Sequence, residues 1–211
     1  MKIDEELIKK MQKGVLRFGA ASETGFKKLA DFGWYINADF SIGYTTNLME
    51  KAIEGDLEFL NNFFVPYYRT FIQKKTNRFK SKNKLRSDII KEAIDCHNEK
   101  RYYASTMLFL SQSDGICGGY LFKGRERKQD LKKFLATSSN GSIFLLLLNS
   151  IKQKSSIDSF YPEESNVYES ELNRHGVMHG YNIEYGTETN SLKAFSLFCF
   201  VNDFVNRYSD Q

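Results

Sequence analysis

The sequence predicts an all-α protein, and three features carry that expectation. Apolar residues recur at spacings of three and four rather than two through most of the 211 residues. Proline, which interrupts helix interiors, occurs only as Pro66 and Pro162. Cap-forming Ser, Asn and Thr residues precede several of the periodic stretches, and glycines follow them.

Taken in order, residues 4–18 put Leu7, Met11 and Val15 on one stripe, and residues 23–32 do the same with Phe26, Leu29 and Ala30. Two helices are expected, the second ended by Gly33 as its C-cap. Asn47, with Glu50 three residues on, is expected to open a helix carrying Leu48, Ala52 and Ile53. Leu57, Leu60, Phe64 and Phe71 continue an aromatic-rich helical stretch that Pro66 should bend or break. Lys74, Lys75, Arg78, Lys80, Lys82, Lys84 and Arg86 follow without an intervening acid. Such a run is either a solvated loop or a track for a phosphate backbone.

Ser87 then stands where it can cap a helix bearing Ile90, Ala93, Ile94 and His97. Arg101 to Gly115 forms the next helix, with Ala104, Met107, Leu108 and Ser111 expected inward and Gly115, Gly118 and Gly119 ending it. Residues 142–152 read as a short apolar helix and 155–166, with Pro162, as a loop. A helix from Glu164 or Asn166 to His179 is stopped by Gly180. Thr187, with Asn190 three residues on, caps a last helix through Leu192, Phe195, Phe198, Cys199 and Phe204. The expected organisation is an N-terminal helical region with a basic linker, residues 1–85, packed on a helical domain of residues 86–211.

Composition sets the class: 41% hydrophobic and 27% charged residues suffice for a globular core. The longest apolar run, Ile143 to Leu148, is far short of the roughly 20 residues of a membrane span. The N-terminus lacks a signal-peptide pattern, so a cytoplasmic location without a membrane partner is expected. Cys96, Cys117 and Cys199 are odd in number and contain no CxxC, which predicts reduced, buried side chains and no thiolate zinc site. The net charge of +4 is too small to imply a polyanionic partner by itself.

Histidine is the informative residue. Two of the chain's three histidines fall within Arg174-His175-Gly176-Val177-Met178-His179. On a helix His175 and His179 share a face, while Gly176 and Gly180 permit another backbone to approach closely. His179 lies in the final turn, where the macrodipole favours a protonated imidazole, the condition for proton transfer near neutral pH. Two blander readings compete: Arg174 pairs with Glu169 or Glu171 while the imidazoles satisfy core carbonyls, or HxxxH holds zinc with Glu184 or Asp114 as a third ligand. The aromatics from Phe59 to Phe71 and the Tyr102-Tyr103 pair read as core, with base stacking as the alternative.

Arg174 to His179 resembles the active-site motif of HEPN-family ribonucleases: an arginine, a polar residue, a short spacer and a histidine. The similarity extends over Leu172 to Gly180, Tyr185-Gly186-Thr187-Glu188 and Asn190 to Ala194, with upstream likeness in Gly33 to Ile36, Asp88 to Ala93 and Tyr103 to Gly115. The resemblance implies a HEPN-like helical bundle with an N-terminal extension, active without metal or other cofactor as an endoribonuclease. Its products would be 2',3'-cyclic phosphate and 5'-hydroxyl ends. Arg174 and His179 would be catalytic, His175 would fill the polar position, and Asp114 would support the pair. A homodimer is implied, as is a setting in phage defence or a toxin system with a cognate antitoxin or defence protein. Lys74, Lys75, Arg78 and Lys80 would hold RNA phosphates. The competing class is a non-catalytic RNA- or protein-binding dimerisation module.

Overall fold

The computed structural model of the chain describes residues 5–119, 121–122 and 172–204, and all regular structure among them is helical. In chain order the helices are α1 (Glu5–Asp31), α2 (Ile42–Glu54), α3 (Leu57–Lys82), α4 (Ser87–Asn98), α5 (Tyr102–Ile116), α6 (Arg174–His179) and α7 (Glu188–Phe204), with a 3-10 turn at Lys84–Arg86 before α4. None of the described helices is long and apolar enough to cross a membrane.

The two expected N-terminal helices are one. Nothing in Gly19-Ala20-Ala21-Ser22 forces a break, and Ser22 turns its hydroxyl back to the Gly19 carbonyl at 3.0 Å, so the helix runs on. Its first half leaves Val15 and Leu16 exposed, and burial begins at Ala21 and continues through Phe26, Leu29 and Ala30. Gly33 ends it as expected: φ is 81°, and the amides of Gly33 and Trp34 reach the carbonyls of Ala30 and Leu29, both at 2.9 Å. Helix α2 is capped by Ser41, six residues before the expected start at Asn47. Thr45 and Thr46 bond back to the carbonyls of Ser41 and Ile42, which makes these β-branched residues compatible with a helical turn. At Gly25 a Cβ would overlap Met49, so α1 and α2 approach backbone to backbone there.

Helix α3 passes through Pro66 unbroken. Proline removes one ladder bond, and the buried faces on either side hold the axis: Trp34 stacks on Phe64 at 5.0 Å and on Tyr68 at 6.1 Å, and Tyr68 donates to the Tyr35 carbonyl. The basic run is accordingly not a loop up to Lys82 but the second half of α3, fixed by Phe79, which is fully buried. Ser87 is the first residue of α4, entered from the 3-10 turn, rather than its cap.

Helix α5 turns a different face inward from the expected one. Ser105, Thr106, Phe109, Leu110, Gln112 and Ser113 are buried, while Met107 is 38% exposed. Small hydroxyl residues let α5 lie close to α7: Ser113 donates to the Phe109 carbonyl at 2.8 Å and Ser105 Oγ lies 2.9 Å from Ser191 Oγ, while Thr106 Oγ1 is buried without a hydrogen-bond partner among the described residues. Arg86 closes the other end of α5, donating to Gln112 Oε1 at 3.0 Å and to the Gly115 carbonyl at 2.9 Å.

Helix α7 is the axis of the molecule. Every residue from Asn190 to Asp203 is buried, and the helix packs on both α5 and α3. Phe195 meets the rings of Tyr68, Phe71, Phe79, Phe109 and Phe198. Thr187 caps its start as expected, accepting from the Asn190 amide at 3.1 Å. Cys96, Cys117 and Cys199 are free and buried. The expected helix at 142–152 and loop at 155–166 lie outside the described residues.

Candidate functional site

Helix α6 has only six residues, and its two ends are defined by local chemistry. Asn173, in extended conformation, accepts the Gly176 amide on its side chain at 3.2 Å and starts the helix there, well after Glu164 or Asn166. Gly180 stops it at φ 80°. The chain then folds back: the amides of Tyr181 and Asn182 both reach the Gly176 carbonyl at 3.1 Å. A Cβ on Gly176 would lie 2.9 Å from Asn182 Cβ and 3.0 Å from the Tyr181 ring. The close approach expected at Gly176 is thus made by the chain's own return, whereas Gly180 serves through its left-handed backbone and has open space around it.

This return sets the side chains of the motif. The imidazoles of His175 and His179 are 4.3 Å apart, and Tyr181 lies 5.8 Å from His175 and parallel to His179 at 6.5 Å. Val177 is buried and anchors the helix, while His179 is exposed and Arg174 and His175 are half-buried. Burial, and then the charges of His179 and Arg174, hold His175 below the ordinary histidine pKa. Its ring therefore stays neutral at neutral pH.

Arg174 lays its guanidinium over the Phe122 ring at 4.2 Å. Phe122 follows the buried Leu121, whose amide donates to Asp114 Oδ1 at 3.1 Å. Asp114 thus bears on Arg174 through a turn: it braces the segment that carries the ring. Lys74, Lys75, Arg78 and Lys80 belong to α3, a different helix from the motif, and Lys74 is exposed. Among the described residues no group of three or more His, Cys, Asp or Glu side chains gathers to hold a metal ion, so Glu184 and Asp114 do not complete a zinc site with the imidazoles. Glu188 is engaged by Arg69 at 2.6 and 2.9 Å, which lowers its pKa, and Glu184 is exposed. Glu169 and Glu171, the alternative partners of Arg174, lie outside the described residues.

Sequence reasoning missed Phe122, Tyr181 and the capping role of Asn173. Asn173 was legible, because Asn is among the preferred N-cap residues and stands directly before the motif. The two aromatic contacts depend on how separate segments return, and no local pattern announces them.

The third histidine has a structural role. His97 is buried in the last turn of α4 with Nδ1 2.8 Å from Ser191 Oγ, itself 2.9 Å from Ser105 Oγ. Burial lowers its pKa below 6.5. The unfolded chain therefore takes up a proton that the folded chain excludes as pH falls below 6.5, so stability declines down to the lowered value and then levels off. Urea titrations between about pH 7.5 and pH 5 should show this loss in the wild type and a smaller one in His97→Gln. Equal slopes in the two proteins would remove His97 as the source.

No family model matches the chain, and neither curated proteins nor solved structures provide a match.

Proposed function

We propose that the chain is a metal-independent endoribonuclease of HEPN-like type, acting through Arg174 and His179. The observation that supports this most is the grouping of two imidazoles 4.3 Å apart and a guanidinium on one short helix, with His179 exposed. RNA carries its own nucleophile, so cleavage needs only proton transfer and charge stabilisation. His179 takes the proton of the ribose 2'-hydroxyl, or delivers one to the 5'-oxygen. The 2'-oxygen bonds to phosphorus, the bond from phosphorus to the 5'-oxygen breaks, and that oxygen leaves protonated. A 2',3'-cyclic phosphate and a 5'-hydroxyl result. Arg174, oriented by Phe122, balances the charge that builds on the phosphoryl oxygens. His175, kept neutral, orients the pair.

In this reading the protein works as a symmetric homodimer with two copies of the 174–179 segment facing one cleft, within a toxin or defence system that supplies a protein partner. Met178 and Tyr181, each 41% exposed beside the motif, offer apolar surface for such a contact. Sedimentation at micromolar concentration should give a dimer, and a strict monomer would count against this arrangement.

The test of the activity is incubation of purified protein with tRNA, mRNA and rRNA, followed by analysis of product ends. Cyclic phosphates and 5'-hydroxyls formed in the presence of EDTA are expected. Intact RNA under all conditions, together with a specific captured protein, would favour the dimerisation module. The basic half of α3 should add affinity without sequence preference. Replacing Lys74, Lys75, Arg78 and Lys80 together by alanine should weaken RNA binding and flatten its salt dependence, measured by fluorescence anisotropy across a salt series. Unchanged affinity would return these residues to a solvated helix face.

A further inference from the structure

A cleft lies away from the motif, where the segment between α1 and α2 crosses α3. It encloses about 410 Å³ and is lined by Asp39, Phe40, Ser41, Tyr44, Phe63 and Tyr67. Four of these six residues are aromatic, one is acidic and none is basic. We infer that this cleft binds a small organic cation of the methylated-ammonium class, independently of any action on RNA.

The rings form a continuous wall: Phe40 is 4.4 Å from Tyr67 and 6.1 Å from Phe63, and Phe63 is 6.3 Å from Tyr44. Tyr44 is 62% exposed, a large aromatic ring held in water at the mouth. The wall is organised before any ligand arrives. Buried Asn37 places its amide 3.1 and 3.2 Å from Tyr67 Oη and accepts the Asp39 amide at 2.9 Å, so one side chain fixes both the aromatic wall and the acidic rim.

Charge and hydrogen-bond supply then select the ligand. Aromatic faces are the negative pole of the ring quadrupole, and with a carboxylate at the rim they attract cations and repel anions. Desolvation, with Asp39 and Asp203 nearby, pushes the Tyr67 phenol up to about 12, so it adds no charge of its own at neutral pH. A primary ammonium would need three acceptors on entering, and beyond the Asp39 carboxylate at the rim these six residues offer few: Tyr67 Oη is engaged by Asn37, and Ser41 Oγ already accepts the Tyr44 amide at 3.4 Å. N-methyl groups need none and fit an apolar wall.

The experiment uses the full chain and two probes of the same shape, choline and its uncharged analogue 3,3-dimethyl-1-butanol, at matched ionic strength. Saturation-transfer NMR should show choline N-methyl protons in contact with the protein and shifted upfield by the rings, with affinity of roughly millimolar or better, and a markedly weaker signal for the alcohol. Tyr44→Ala, at an exposed position, and Asp39→Asn should each weaken choline about threefold or more. The inference is overturned if the alcohol binds as well as choline, if choline shows no transfer at tens of millimolar, or if both variants bind it as the wild type does. RNA cleavage by Tyr44→Ala should equal that of the wild type, which keeps failure here separate from failure of the nuclease reading.

Discussion

His179→Ala and Arg174→Ala should each lower RNA cleavage by about a hundredfold or more while leaving the fold intact. Proton transfer by a positioned side chain contributes roughly a hundred- to ten-thousandfold, and a positioned charge-stabilising donor about a hundred- to a thousandfold. His179 is exposed on α6, so its removal opens no core cavity and melting curves should coincide with the wild type. Arg174 needs a finer series, because it also covers Phe122. Arg174→Lys keeps the charge but not the planar group that lies on the ring, and should remain strongly impaired. At position 114 the comparison distinguishes bracing from charge. Asp114→Asn can still accept the Leu121 amide and should retain most activity, whereas Asp114→Ala should lose several-fold more. His175→Ala should cost less than His179→Ala. Initial rates on a defined RNA, with and without EDTA, measure all of this. Undiminished cleavage by His179→Ala would sink the assignment, and activity abolished by EDTA and restored by zinc would make the imidazoles ligands.

The largest stability effect is expected at Phe195→Ala, about 3–5 kcal/mol. The ring has no exposed surface and touches five aromatic neighbours drawn from α3, α5 and α7. Such a loss is a large share of the roughly 5–15 kcal/mol that holds an ordinary domain. Leu16→Ala, at a position 73% exposed on α1, should change stability by less than about 0.5 kcal/mol. Urea unfolding of the two variants makes the comparison, and similar midpoints would contradict the central position of α7.

The all-helical class and several helix ends were legible because they depend on short-range chemistry. Gly33, Gly180 and Thr187 act where local cap patterns put them. Errors arose where tertiary packing outweighed a local cue. Pro66 and the basic stretch looked like interruptions, but burial of Phe64, Tyr68 and Phe79 carries α3 through both. On α5 an apolar count selected Met107 and Leu108, although the helix turns serines and a threonine toward α7, a preference set by a neighbour far along the chain. The motif itself was visible as clustered histidines. Its supports were not: Phe122 reaches Arg174 across 52 positions, and the folding back of Tyr181 depends on bonds to a single carbonyl.

The burial of α7 on every side also governs the order of assembly. Its partners precede it in the chain, and its ties to the segment after α1 are long: Tyr35 to Ser196 spans 161 residues and Ala38 to Asp203 spans 165. Loops of that length close slowly relative to local helix formation. While the protein is being made, α1 to α5 can form turns and pairs, yet the parts of α3 and α5 that α7 covers in the folded chain lack that cover until α7 has emerged. Docking of that one helix is then the step that converts a set of loosely paired helices into a closed core, and slowing it would lengthen the interval in which those faces can meet another chain.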